Sequence, residues 1–398
     1  MTTTTLEMTN SWWSRWRVPI LAWGLSRALV ILLAVLVEWW LGATSLSNDR
    51  SVPTSLRLLG SWDTSWYIDI ARNGYDHYTG LVGVVFTNLA FFPLLPMVMW
   101  AGIRTSMNPF IWGFVVSNLA FFGAVVGLHR LTWDRRDLAF ANRATWVFAF
   151  SPPAIYASLA YTDGLLIALA IGAALAATRG RWYIAGLASA LAALTRPQGI
   201  FVALLVVMIA VTVADVPWAV RARHAVIGFV PAVIALGGFL AWMQVARGSW
   251  QLPLNAQGAW HRGPLGISLV TGLPKATYSV IDYVLPPFKH GLFRHLVWTG
   301  SERDFLFTIV MVAVAVALWR MEGRWRSPWV LFIVMALGVP LLSGSYSSMM
   351  RFGLVAFPLV WPVAEWLGHG GSRRRAWVIS ATLLVTVLLV LQLNVTSP

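Results

Sequence analysis

The chain has 398 residues, 58% of them hydrophobic and 11% charged, and it contains no cysteine. A soluble domain carries about 25% charged residues, so this is the composition of a polytopic membrane protein; the missing thiols exclude disulfides, thiol catalysis and cysteine-based metal sites. The net charge of +14 does not point to nucleic acid, because the basic residues form no single patch.

The basic residues fall in short clusters between apolar runs: Arg15/Arg17, Arg179/Arg181, Arg221/Arg223, Arg320/Arg324/Arg326 and Arg373 to Arg375. That spacing is the signature of a positive-inside bias. Only two of the 29 basic residues are lysines, Lys275 and Lys289. Together with abundant Ala, Gly, Val and Trp, the skew points to a high-GC bacterial genome.

A spanning helix needs about 20 apolar residues to cross about 30 Å of hydrocarbon. The first such run, Val18 to Leu41, is too long for a signal-peptide core and lacks a small-x-small exit. It reads as a retained anchor, 18–42, with a cytoplasmic N-terminus held by Arg15 and Arg17. Further spans are expected at 109–129, 143–160, 164–178, 198–216, 224–246, 304–320, 328–343, 352–368 and 376–394, with shorter runs at 88–103 and 182–195. The whole is expected to be one all-α membrane domain with about eleven crossings. Residues 43–87 form a first outer loop, 88–246 a central bundle, 247–303 a second large outer loop and 304–398 the C-terminal helices. No repeat period is visible. One segment upsets the bookkeeping: a full crossing at 88–103 would put 130–143 on the wrong side, so that stretch, with Pro93 and Pro96, is expected to enter and leave without crossing.

The first outer loop concentrates chemistry. Four of the chain's 15 acids, Asp49, Asp63, Asp69 and Asp76, lie within it. The rings of Trp62, Trp66, Tyr67, Tyr75 and Tyr78 suit a membrane–water interface, so 60–75 reads as a helix lying along the surface. Asp63 and Tyr67, four apart, share one face, whereas Asp69 lies well round the helix. The apolar run Ala90-Phe91-Phe92-Pro93-Leu94-Leu95-Pro96 reads as a pocket wall. Ser151-Pro152-Pro153 followed by Tyr161-Thr162-Asp163-Gly164 reads either as a site acid or as plain turn chemistry. In Leu194-Thr195-Arg196-Pro197-Gln198-Gly199 the arginine either snorkels or meets an anion. The same choice holds for Arg351 in Ser343-Gly344-Ser345-Tyr346-Ser347-Ser348-Met349-Met350-Arg351-Phe352, where serines at a helix start and a guanidinium fork suit a phosphate.

Taken in order, Trp-Asp-x3-Tyr-x3-Ala-x2-Gly-Tyr, Phe-Phe-Pro-Leu-x-Pro, Ser-Pro…Tyr-Thr-acid, Thr-Arg-Pro-x-Gly and a late Ser-x2-Arg-aromatic resemble the GPI mannosyltransferase II (PIG-V-like) family and its actinobacterial relatives. These are integral-membrane glycosyltransferases of the GT-C fold. The resemblance runs from about residue 55 to 365. It implies an inverting α-mannosyltransferase that takes mannose from a polyprenyl-phosphate donor and gives it to a lipid or lipid-linked glycan on the extracytoplasmic face of the cell membrane. It implies no metal or other cofactor. Asp63 matches the family's first-loop catalytic aspartate, Asp163 its Tyr-Thr-acid position and Arg351 its late arginine. Relatives usually carry Glu at position 163, and Asp is one methylene shorter.

On this reading Asp63 is the base. Arg351, with Arg196 or Lys275, meets the phosphate. Trp62, Trp66, Tyr67, Tyr161 and Asp163 line the substrates. His77, His261 and His290 read as bystanders. Two other readings stay open: another lipid-phosphate sugar or a protein acceptor on the same fold, and a lipid or glycan flippase. Against the flippase stands the near absence of charge within the helices.

Overall fold

The computed structural model describes residues 3–41, 49–77, 85–212, 216–260, 262, 300–323, 325–343 and 348–393. Its architecture is all-helical. Among the described residues, five helices are long and apolar enough to cross a bilayer: Trp16–Leu41 within α1 (Thr3–Leu41), α4 (Pro109–Arg135), α9 (Trp218–Arg247), Arg303–Glu322 within α11 (Gly300–Glu322) and α15 (Ser372–Leu393). Between them lie α2 (Asp63–Asn73), α3 (Leu94–Arg104), α5 (Leu138–Ala149), α6 (Asp163–Thr178), α7 (Trp182–Ala193), α8 (Ile200–Thr212), the short α10 (Leu252–Asn255), α12 (Pro328–Leu342), α13 (Met349–Val355) and α14 (Val360–Gly368).

Two of the expected spans are broken. The run 143–160 is not one helix: α5 stops at Ala149, and Ser151-Pro152-Pro153 starts a 3-10 turn over Pro152–Ser158, because proline lacks the N–H that would continue the ladder. This turn meets α6 at 110°. The run 352–368 breaks likewise at Phe357-Pro358, where α13 meets the following helix at 85°. With each bent pair counted as one span, the described residues hold up to seven crossings rather than the eleven expected. The shortfall corresponds to the expected spans at 182–195, 198–216 and 328–343, which are apolar helices of 10–17 residues (α7, Pro197–Thr212 and α12), and to 143–160, divided between α5 and the turn that leads into α6.

Helix α3 begins where Leu94 N–H donates to Leu194 O and ends just before Asn108, whose side-chain amide donates to Ser51 O in the first loop. Both ends therefore lie on the face that carries the first loop. Eleven residues rise only about 16 Å, too little to cross.

The opposite face is basic. Arg135 pairs with Glu322 at 2.7 Å, Arg179 with Asp134 at 2.6 Å, and Arg136 with Glu365. Along α4, the 18 residues from Ser117 to Arg135 put these pairs about 27 Å from Tyr161, whose carbonyl accepts from the Ser117 hydroxyl. Exposed pairs of this kind contribute about 0–1 kcal/mol each; their value here is to mark a face.

Small residues let backbones close up where the site is built. A Cβ on Gly164, at the start of α6, would stand 2.3 Å from Ser117 O of α4, and one on Gly186 of α7 would stand 2.4 Å from Ile227 O of α9. The main core spreads from these contacts through Phe121, Phe148, Leu166, Ile167, Phe332, Phe357 and Trp361, all essentially inaccessible.

The broken segment is held from inside the membrane. Arg27 of α1, buried, donates to Ala154 O at 2.7 Å, Ser158 Oγ at 2.6 Å and Ala149 O at 3.3 Å, with its guanidinium 4.5 Å from the Phe121 ring. The carbonyls that the proline break leaves without helical partners thus find one in a cation.

Gly164→Ala should lower the thermal unfolding midpoint in detergent, on the order of 1–3 kcal/mol of stability, because its methyl group meets backbone rather than a movable side chain. An unchanged midpoint would mean that the α4–α6 approach is looser than described.

Candidate active site

Four distant stretches converge on the first-loop face. Helix α2 brings Asp63, Trp66 and Tyr67; the bend before α6 brings Tyr161, Thr162 and Asp163; the turn after α7 brings Arg196; and α13 brings Arg351. The start of α2 suits its sequence: Asp63 lies in the first turn and Arg72 in the last, each complementing the helix dipole, and Gly74, at φ 81°, closes the helix by donating to Ile70 O.

At the centre is the Asp163 carboxylate, wholly inaccessible. Arg196 meets it as a fork, Nη1 to Oδ1 at 3.0 Å and Nη2 to Oδ2 at 2.9 Å, while Arg351 Nε donates to Oδ2 at 2.9 Å. Arg196 also reaches the Thr162 hydroxyl through Nε at 3.2 Å and Nη2 at 2.8 Å. Arg351 then crosses to Asp63, Nη1 to Oδ2 at 2.5 Å, with its guanidinium 4.4 Å above the Tyr161 ring. The result is a chain of alternating charge, Arg196–Asp163–Arg351–Asp63, whose last member reaches the surface of a cavity. Asp63 Oδ1 accepts no hydrogen bond among the described residues.

Asp63 is fixed from both sides. Its N–H donates to the Tyr161 hydroxyl at 3.3 Å, and that hydroxyl donates in turn to Ser61 O at 3.2 Å. The residue before it, Trp62, holds φ 57° and ψ −117°, a backbone costly for any side chain other than glycine. The Trp62 ring offsets this by donating Nε1–H to Leu393 O at 3.2 Å, at the end of α15. Ser348, three residues before Arg351, also sits in the left-handed region, at φ 62°. Strain therefore falls beside both partners of the Asp63–Arg351 pair.

The cavity encloses about 550 Å³. One wall is polar, with Asp63, Arg196, Arg262 and Arg351; the other is aromatic, with Trp66, Phe86, Phe91 and Trp260, and Gln198 and Gln257 lie on its border. Trp66 stacks on Phe91 at 5.9 Å between centroids, and Trp260 meets Phe91 edge-on at 5.6 Å. Among the described residues no three His, Cys, Asp or Glu side chains gather as a metal-holding group.

The structure redistributes the residues singled out in the sequence. Asp63, Trp62, Trp66, Tyr67, Arg196 and Arg351 line the cavity. Asp163 and Tyr161 are not among its lining residues; they lie behind the wall and hold Arg196, Arg351 and Asp63 in place. Tyr67 and Tyr75 are no interfacial anchors either. Both are buried, Tyr75 donating to Phe91 O at 2.8 Å, because the face of α2 that carries Tyr67 packs inward against residues 88–92. Burial, with Asp63 beside it, raises the Tyr67 phenol pKa, so it stays a neutral hydroxyl 3.3 Å from Thr162 Oγ1. The other loop acids are braces: Asp69 accepts from Asn88 at 2.7 Å and Asn73 at 2.8 Å, Asp76 from Asn88 N–H at 3.1 Å, and Asp49 from Arg72 at 2.8 Å. His77 is exposed and outside the cavity. Lys275, His261 and His290 lie outside the described residues. Sequence reasoning missed Thr162 and Arg262. Thr162 sat inside a quoted motif, but nothing in the polar 247–303 segment distinguished Arg262 from its neighbours.

The described residues thus place a carboxylate–guanidinium chain at the mouth of a cavity among helices long and apolar enough to cross a bilayer. Residues 33–214 match the family described as Mannosyltransferase (PIG-V), a stretch that contains Asp63, Asp163 and Arg196 and stops short of Arg262 and Arg351. The resemblance read from the motifs thus holds over that region. Curated proteins give no match. Among solved structures, the chain is similar to the archaeal oligosaccharyltransferase AglB from Archaeoglobus fulgidus in complex with an inhibitory peptide and a dolichol-phosphate, at 13% identity and a TM-score of 0.45, over 96% of this chain and 56% of that one. The apo form of the Archaeoglobus fulgidus oligosaccharyltransferase gives 13% identity, a TM-score of 0.46 and the same coverage. The chain spans 56% of the length of these structures.

Asp163→Asn should be severely destabilising, on the order of 3–5 kcal/mol, because it leaves two buried guanidiniums facing a neutral amide. A fall in unfolding midpoint together with loss of activity is expected; a folded, active Asp163→Asn protein would remove Asp163 as the centre of the site.

Proposed function

We propose that this protein is a polyprenyl-phosphate-mannose-dependent α-mannosyltransferase whose acceptor is a lipid or a lipid-linked glycan. The observation that carries the reading is the convergence of Asp63, Arg196 and Arg351 on one cavity, held from behind by Asp163, with Asp63 presented at its surface.

The acceptor hydroxyl gives its proton to Asp63 Oδ1 as its oxygen attacks the anomeric carbon from the face opposite the phosphate. The bond from that carbon to the phosphate oxygen breaks, and its electron pair leaves with the polyprenyl phosphate. A β-linked donor therefore yields an α-linked product. Arg351 holds the other Asp63 oxygen, so the base presents one oxygen in a fixed direction. Its Nη2 makes no hydrogen bond among the described residues and remains for the phosphate. The aromatic wall suits the apolar faces of a sugar and the first units of a prenyl chain.

The arginine-rich helix ends lie on the face opposite the cavity. By the positive-inside rule this supports a cytoplasmic basic face and an extracytoplasmic cavity.

In a transfer assay with purified protein and lipid donor, Asp63→Ala and Asp63→Asn should lose about 10²–10⁴-fold in kcat while remaining monodisperse. Activity within about tenfold of wild type in a folded variant would remove Asp63 as the base.

A further inference from the structure

A second cavity, of about 390 Å³, lies on the basic face, between the starts of α7 and α9. Both helices run from that face towards the candidate site: α7 ends just before Arg196, and α9 ends at Arg247, which donates to Tyr75 O at 3.0 Å. Gly186 lets the two helices close up against Ile227 O, and one turn nearer the basic face Trp182 stacks on His224, 4.5 Å between centroids and 14° between planes. Arg181 and Arg223 each precede one member of that stack, so the packing sets two guanidinium-bearing residues side by side across one seam, and both line the cavity. Their neighbours are engaged differently. Arg135, Arg136 and Arg179 meet Glu322, Glu365 and Asp134, and Arg221 donates to Val216 O at 2.7 Å and Val211 O at 3.4 Å. Arg181 and Arg223 are exposed, and among the described residues neither side chain forms an ion pair. Deeper along the same helix faces the character changes. Ile184 and Ile227 line the cavity, and the residues that continue their faces, Leu187 on α7 and Ile234 on α9, are 60% and 68% exposed. A cationic mouth above an exposed apolar seam matches a molecule with an anionic head and a hydrocarbon tail; a free anion gains nothing from the seam.

We propose that the cavity between the starts of α7 and α9 binds one anionic phospholipid, with Arg181 and Arg223 on its phosphate and its acyl chains along the seam that continues from Ile184 and Ile227. A zwitterionic phospholipid carries the same phosphate but brings its own ammonium group, which two guanidiniums disfavour. The site is on the face opposite the candidate active site, and it stands whether or not the reaction proposed above is correct.

The test titrates the purified full chain, in a neutral detergent, with phosphatidylglycerol, phosphatidylcholine and inorganic phosphate, and counts bound lipid by native mass spectrometry. Wild type should retain phosphatidylglycerol at least about tenfold more tightly than phosphatidylcholine. The double variant Arg181→Ala, Arg223→Ala should bring the two lipids to within about threefold of each other, and the corresponding lysine pair should recover part of the preference. A control, Arg373→Ala with Arg375→Ala, removes two exposed arginines that do not line the cavity and should keep the preference. If the alanine pair is not monodisperse, Arg181→Gln with Arg223→Gln carries the same comparison. A wild type that holds the two lipids equally, or a folded Arg181/Arg223 variant that still prefers phosphatidylglycerol as wild type does, overturns the site. An equal loss in the Arg373/Arg375 control would mean diffuse attraction to the whole basic face and would overturn it too. Displacement of the bound lipid by an equimolar amount of inorganic phosphate would assign the cavity to free phosphate and overturn the lipid source.

Discussion

A carboxylate with no access to solvent is held between two guanidiniums at the point where α6 begins. Removing an isolated ion from water costs several kcal/mol even after relaxation, so Asp163 is tolerable there only because Arg196 and Arg351 come to it with good geometry. Those two arginines come from segments about 33 and 188 residues away in sequence. The need to neutralise one buried charge therefore draws the turn after α7 and the helix α13 to the same place. Close packing at Gly164 and the break at Pro152-Pro153 are what let the chain deliver the acid there.

From this clamp the order extends outward. Arg351, anchored on Asp163, has a direction left over, and that direction ends on Asp63. Tyr161 supplies both the ring beneath the guanidinium and the hydroxyl that fixes the Asp63 backbone. Asp63 thus owes its placement to Arg351, which lines the cavity, and to Tyr161 and Asp163, which lie behind it. In the proposed role of base, a carboxylate held in this way loses little freedom on meeting substrate, and the cost of the unusual Trp62 backbone is set against that gain.

Much of this was legible in the sequence because the chemistry is carried by rare letters. In a chain with 15 acids and mostly apolar helices, an Asp in Trp-Asp, an Asp in Tyr-Thr-Asp and an Arg in Thr-Arg-Pro stand out. The shared face of Asp63 and Tyr67 also followed from helical spacing. What the letters did not convey was depth. Composition ranks Tyr67 and Tyr75 as interface residues, but whether an amphipathic ring meets lipid or a neighbouring segment depends on tertiary packing, here on residues 88–92. The same holds for Asp163, whose role behind the wall depends on the direction from which Arg196 and Arg351 arrive. Helix breaks were hidden for another reason. Hydropathy counts apolar residues and passes over Pro152 and Pro358, which interrupt the backbone without making the run less apolar. Arg262 belongs to a segment dense in aromatic and basic residues, where no period or contrast marks any one of them.

The buried arginine of α1 changes the standing of the first helix. Read from hydropathy, α1 is a tether, and tethers are interchangeable: any apolar run of the same length would do. Arg27 instead closes the open carbonyls of the segment that leads to Tyr161 and Asp163. The N-terminal helix is thus a keystone of the candidate site, and the geometry at the cavity is set partly by a buried cation in the middle of a membrane-length helix.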